Sequence, residues 1–387
     1  FIAPPGKVHL YSSTVFVLAG YLAEVVTGKY FDTLMQEMIF APLEMTRSTF
    51  DRTVAMTYPL ALAHDRDASG TLRTKHRFID NVSGNPSGFG LSSTLDLAHF
   101  AIMHLNTGRF QSMQWLSPES IALMQMPHIS RYLHEDAGYG LALFTGSYKG
   151  VRWVVHWGLQ DGYWCVMSLF PDRGVGVIVQ SNHGDEPTLV RLVDEIYDDL
   201  LNLPAKRPEP VTVAPDRSLW PLHEGTYLSV EYGLLTVTVV KDQLLLDNDG
   251  EIRSLVAIEH ELYQAGQTQV GFLHEGDGPT EYLIFAGQPY RRFSLDPSFV
   301  PDPAAWRAYA VTYQDVRENP YLIRIRVTDT QLLIKWGDAD EVVCTALSQT
   351  SFVSSGGLID FEVAEEGGEP VLITHKATHY HRKDDMD

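Results

Sequence analysis

An α+β domain followed by two tandem small antiparallel β-barrel modules is the architecture this sequence predicts, and three observations carry it. Residues 1–203 mix helical and strand periodicities. A proline-dense stretch at 204–221 then resists both. Beyond it, alternating β-branched and aromatic residues dominate with almost no helical period, and their pattern repeats.

In chain order, 15–26 reads as an apolar helix, and 30–39 keeps helical spacing until Pro42 ends it. Another helix is expected over 94–103, with Ser93 or Thr94 as its cap and Asp96 in the first turn, where a carboxylate suits the dipole. Strand-like runs follow at 140–144, 151–156, 165–170 and 175–180. Pro171-Asp172-Arg173-Gly174 marks a hairpin between the last two. Such short turns cannot hold parallel crossovers, so these strands are expected antiparallel, with an amphipathic helix at 188–201 on one face.

Pro204, Pro208, Pro210, Pro215 and Pro221 make 204–221 a linker. Modules are expected at 222–300 and 301–387, because Tyr227 matches Tyr313, Tyr263 matches Phe352, Phe272 matches Phe361 and Tyr290 matches Tyr380. Gln243-Leu244-Leu245-Leu246 likewise matches Gln331-Leu332-Leu333-Ile334. Apolar positions coincide while charges do not, so what repeats is a core. Each copy offers about seven short strands, which suits a small antiparallel barrel or sandwich.

A net charge of −20 argues against a nucleic-acid or anionic-membrane partner, since such surfaces need clustered Lys and Arg. No apolar run approaches the roughly 18 residues that a membrane-spanning helix needs. Cys165 and Cys344 set neither a disulfide framework nor a metal spacing and read as small buried thiols. His375, His379 and His381 read as solvent-facing rather than as ligands. No cofactor is implied, and the compartment stays open.

Three segments carry chemistry. The first joins Pro5-Gly6-Lys7-Val8-His9-Leu10-Tyr11-Ser12-Ser13, running into the apolar helix, to Ile39-Phe40-Ala41-Pro42-Leu43-Glu44-Met45-Thr46-Arg47-Ser48-Thr49-Phe50. The second is Pro86-Ser87-Gly88-Phe89-Gly90-Leu91-Ser92-Ser93-Thr94-Leu95-Asp96-Leu97-Ala98, and the third His156-Trp157-Gly158-Leu159-Gln160-Asp161-Gly162-Tyr163. In this order they resemble the serine β-lactamase-like hydrolases, which include penicillin-binding proteins, esterases and peptidases. Residues 1–203 are similar to the C-terminal two-thirds of that family's domain, with the third segment as a His-x-Gly variant of its Lys-Thr-Gly strand. Glu44 stands where glycine is usual, and Ser13 where asparagine is usual.

The resemblance implies acyl-enzyme hydrolysis of an ester, a peptide bearing D-residues, or a β-lactam. Tyr11 would handle the nucleophile's proton, His156 would flank the carbonyl, and the Leu159 N–H would supply half of an oxyanion hole. Gly158 would let the strand backbone approach substrate, and Ser13 would contact it. Asp161 and Tyr163 would only shape the turn. The family's nucleophile lies in Ser-x-x-Lys, and no serine of this chain is followed three residues later by lysine. The expectation is therefore a chain inactive alone, whose nucleophile comes from an N-terminal segment in cis or from a second polypeptide. Two alternatives stay open. One is a non-catalytic binding or scaffold relative. The other is small-ligand binding by the β-modules, with Tyr227, Trp336 and Tyr380 as lining.

Overall fold

The computed structural model describes residues 3–67, 69–76, 81–133, 136–160, 162–205, 210–315, 322–337, 339–363, 370–375 and 378–382. The chain divides into two compact units, Ala3–Pro210 and Val211–Asp387.

In the first unit, α1 (Ser13–Thr27) opens at the cap Ser12 and stops at Gly28, whose left-handed φ of 69° ends the helix. Gly20 is its buried position, where a Cβ would stand 2.3 Å from Cγ of Pro86. That contact requires glycine. The segment predicted over 30–39 is α2 (Phe31–Met35), continued by a π-helical turn (Gln36–Phe40). Helix α3 (Thr94–Leu105) starts at Ser93, whose hydroxyl accepts from the Asp96 N–H. Helix α4 (Pro118–Gln125), which was not among the expected elements, is capped by Ser117 with Pro118 in its first turn.

Six antiparallel strands form the sheet in chain order: β1 (Ile129–Ser130), β2 (Gly138–Tyr139), β3 (Phe144–Tyr148), β4 (Val151–Gln160), β5 (Tyr163–Phe170) and β6 (Val175–Ser181). The strand expected at 140–144 begins only at Phe144. The Gly140 N–H bonds back to the Leu143 carbonyl, and Ala142 takes a φ of 61°, so these residues turn between β2 and β3. Ala101 and Leu105 of α3 pack with Val154, Leu169 and Ile178. Val193 and Tyr197 of α5 (Glu186–Leu201) pack with Tyr148, Val155, Val166 and Phe170. The sheet therefore lies between two helical layers, as its alternating strand pattern requires. Lys149, in the β3–β4 turn, ties the second layer down. Its ammonium is 2.7 Å from both carboxylate oxygens of Asp198 and also donates to the carbonyls of Pro204 and Ala205.

The second unit holds the repeat. Its first module orders nine strands: β7 (Gly225–Ser229), β8 (Gly233–Val240), β9 (Gln243–Asn248), β10 (Glu251–Ser254), β11 (Val256–Glu259), β12 (Leu262–Ala265), β13 (Thr268–Leu273), β14 (Tyr282–Phe285) and β15 (Gln288–Phe293). The two edges are β10 and β11, which only the buried Leu255 separates in sequence, so one bent strand joins the edges. The second module is a closed barrel of eight strands: β16 (Thr312–Asp315), β17 (Leu322–Val327), β18 (Leu332–Trp336), β19 (Val342–Ala346), β20 (Ser351–Ser354), β21 (Gly357–Val363), β22 (Pro370–His375) and β23 (Thr378–Arg382). Counting β10 and β11 as one, each module has eight strands among the described residues, where about seven were expected. The repeat pairs fall on equivalent strands: Tyr227 on β7 and Tyr313 on β16, Phe272 on β13 and Phe361 on β21. All four are buried. Tyr227 and Tyr380 sit within packed cores, and Trp336 packs against one. Trp220, placed by the sequence in the linker, joins the first module's core. The side chains of His375, His379 and His381 lie outside the described residues.

Candidate active site

Tyr11 precedes the cap of α1, and His156 sits in β4, yet their ring centres are 6.3 Å apart. The fold joins them through Phe144 at the start of β3, whose backbone pairs with Val155 beside His156. Phe144 lies 6.2 Å from Tyr11, 5.4 Å from His156 and 4.2 Å from Trp157, which stacks on it. His9 and Tyr139 complete the cluster, with ring centres 4.7 Å apart. Tyr11 is 41% exposed. Burial lowers the pKa of His156, and a hydrogen bond with the Trp157 backbone opposes that only in part. The imidazole is therefore neutral at pH 7 and offers a hydrogen bond rather than a charge.

Further along β4, Gly158 pairs with Cys165, and a Cβ there would stand 3.0 Å from the Cys165 sulfur. Burial pushes the Cys165 thiol pKa up, so this cysteine is no thiolate nucleophile at neutral pH. Leu159 pairs with Trp164 and leaves its side chain largely exposed. Ser13, on the first turn of α1, is exposed. Asp161 lies outside the described residues, while the Tyr163 hydroxyl donates to the Ala61 carbonyl at 2.9 Å.

The other two segments hold each other. Thr49 and Leu91 form an antiparallel bridge, and the hydroxyls of Ser48 and Ser92 are 2.7 Å apart. The buried Asp96 carboxylate accepts from the Arg47 N–H at 2.7 Å, from the Ser48 hydroxyl at 2.8 Å and from the Ser93 hydroxyl at 3.0 Å. Glu44, the residue in glycine's place, has a φ of 54°, between the fully buried Leu43 and the buried Met45. The turn demands a left-handed residue whatever side chain occupies it.

Sequence reasoning missed Arg131, Phe144, Trp157, His9 and Tyr139 as neighbours of the site. The register of β1–β4 gathers Arg131, Tyr139, Phe144 and Trp157 from separate stretches, and His9 reaches Tyr139 from the chain before α1.

An antiparallel sheet between helices, with a tyrosine at a helix entry facing a His-x-Gly strand, defines a β-lactamase-like fold. The family model for Beta-lactamase matches residues 2–200, and the chain belongs to that family. It is 27% identical over 228 residues to penicillin-binding protein 4 of Amycolatopsis lactamdurans, covering 55% of this chain and 59% of that protein. It is 28% identical over 210 residues to the unguisins hydrolase ungD' of Aspergillus campestris, covering 51% of this chain and 38% of that one. The chain thus spans under two thirds of the curated relatives it matches. Among solved structures, SurE aligns with a TM-score of 0.56 at 24% identity, over 76% of this chain and 70% of that one, which is a likeness of fold.

Proposed function

We propose that this chain supplies the tyrosine and His-x-Gly side of a serine hydrolase site that acts through an acyl-enzyme. The substrate would be an ester, a D-residue peptide or a β-lactam. The observation that carries this reading is the 6.3 Å approach of Tyr11 and His156 from segments some 145 residues apart. In this reading a serine oxygen attacks the substrate carbonyl as its proton passes towards Tyr11. The oxyanion meets the Leu159 N–H, His156 donates or accepts beside it, and Ser13 and Gly158 border the substrate. The leaving group departs with a proton, and water then hydrolyses the acyl-serine. Serine in place of asparagine at position 13 offers one short hydroxyl instead of an amide, which favours esters over tightly held amides.

The nucleophile would come from a Ser-x-x-Lys segment outside these 387 residues, in cis or as a second chain. Helix α1 has a face for it: Val15, Leu18, Leu22 and Val25, at helical spacing, are each about 60% exposed. Labelling with a serine-directed phosphonate tests this reading. The chain alone should stay unlabelled, whereas robust labelling mapped to one of its own serines would overturn it.

A further inference from the structure

The first barrel has a strand edge that complements itself. Strand β10 (Glu251–Ser254) ends its sheet and pairs with β9 on one side. The next residue, Leu255, donates its N–H to the Leu244 carbonyl at 2.8 Å. An antiparallel ladder alternates, so Arg253 and Glu251 also turn their backbone groups towards β9, while Ile252 and Ser254 turn theirs outward. At the opposite edge, β11, the linker residue Val213 donates to the Ala257 carbonyl at 2.9 Å. Among the described residues no backbone group pairs with the outer edge of β10. Ile252, at its middle, is 63% exposed.

Glu251 and Arg253 flank Ile252 on the other face of the strand and form a bidentate ion pair, with contacts of 2.9 and 2.7 Å. A second copy laid antiparallel along this edge, with Ile252 opposite Ile252, sets each Glu251 opposite the partner's Arg253. Both charge pairs then form across the two-fold axis. The repeat supplies a contrast. Cys344 pairs with Leu332 as Leu255 does with Leu244, so Asp340-Glu341-Val342 are the equivalents of Glu251-Ile252-Arg253. There the same pairing would set Glu341 against its own copy and Asp340 against valine. That edge repels a copy of itself, whereas the edge of β10 attracts one. Charges on an edge strand guard against indiscriminate pairing, and on β10 they also select one register.

We infer that β10 is a self-association edge, through which two copies of this chain join by antiparallel strand pairing centred on Ile252. The two first barrels then share one continuous sheet. The inference is independent of the acyl transfer proposed above.

Sedimentation equilibrium of the 387-residue chain over a concentration series tests it, and the unmodified chain should show a monomer–dimer equilibrium. Arg253→Glu and Glu251→Arg each place like charges opposite one another, twice per dimer by symmetry. Each should weaken the dimer by about tenfold or more. The double variant, Glu251→Arg with Arg253→Glu, restores opposite charges and should return the dissociation constant to within about threefold of the unmodified value. Ile252→Pro removes the central outward N–H and should abolish the dimer. Circular dichroism confirms that each variant is folded. Hydrogen exchange reads the same edge with no substitution: the Ile252 and Ser254 amides should gain protection as concentration rises. A chain that stays monomeric, a dimer that tolerates the single swaps, a dimer that the double swap fails to restore, or amide exchange that ignores concentration would each overturn the inference. Association through the exposed face of α1 would show as such tolerance.

Discussion

The carboxylate of Asp96 receives the backbone N–H of Arg47 at 2.7 Å, joining the first turn of α3 to a turn 49 residues earlier. The same buried group also holds the hydroxyls of Ser48 and Ser93. Removing it strands three donors, so Asp96→Ala should cost about 2–4 kcal/mol of stability. Urea unfolding measures this. A loss below about 0.5 kcal/mol, the usual surface value, would show that the network does not hold the two segments together.

Gly20→Ala should destabilise the first unit by more than about 2 kcal/mol, because the added Cβ meets the rigid Pro86 ring at 2.3 Å. Gly28→Ala is the matched control. It has nothing within 4 Å and a φ of 69°, so it should cost only about 1 kcal/mol of backbone strain. Thermal unfolding of the two variants should rank them in that order.

Glu44→Gly should stabilise the protein, by up to about 1 kcal/mol. Relief of a left-handed glutamate slightly exceeds the entropy that glycine adds to the unfolded chain. A lower urea midpoint for this variant would contradict the assigned turn.

Three buried histidines set the acid limit. His9, His104 and His223 are each held down to about 4 from 6.5, with burial the largest cause. Between those values the unfolded chain binds protons that the folded protein refuses. Their contribution is therefore complete above pH 6.5, lost as pH falls from 6.5 towards about 4, and flat below. His223 stacks on Phe272 at 4.0 Å and shares a 2.8 Å hydrogen bond with Thr280, so it reports on the first barrel, whereas His9 and His104 report on the other unit. Urea titrations across this range should show midpoints falling towards acid, and His104→Gln should flatten the slope for the first unit.

The parts of the fold legible in sequence were those with a local period or a local stop. The β5–β6 hairpin announced itself through Pro171 and Gly174, α1 through its apolar run, and the barrels through aromatic residues recurring on equivalent strands. What stayed hidden depends on distant partners. Nothing near Leu255 signals that one bent strand joins the sheet edges. The turn at 140–143 looked like strand because it is apolar, although only Leu143 is buried, for tertiary reasons, against Val154 and Leu169, while Leu141 is exposed. Arg131 carried no local signal, because only the β2–β3 register sets Phe144 beneath it. At Glu44 the sequence showed a missing glycine, and the structure supplied the reason in its φ.

Lys149 is the strongest tie between the β3–β4 turn and α5, its side chain 5% exposed against Asp198. Lys149→Met should cost roughly 3 kcal/mol, since it leaves a largely buried carboxylate without its cation and with only the Tyr148 hydroxyl donating to it at 3.1 Å. The double change Lys149→Met with Asp198→Leu should recover much of that loss. Equal stabilities for the two variants in urea would argue against the pair.

In the proposed site Tyr11 handles the proton beside a Ser-x-x-Lys segment that completes it. That role is tested most directly by the rate of hydrolysis of a chromogenic short-chain ester in a protein carrying both parts. Tyr11→Phe should there lower the rate by roughly 10²- to 10⁴-fold, the usual worth of a positioned acid–base group, with folding unchanged. A Tyr11→Phe rate within about threefold of the unmodified protein, well short of that range, would contradict the account.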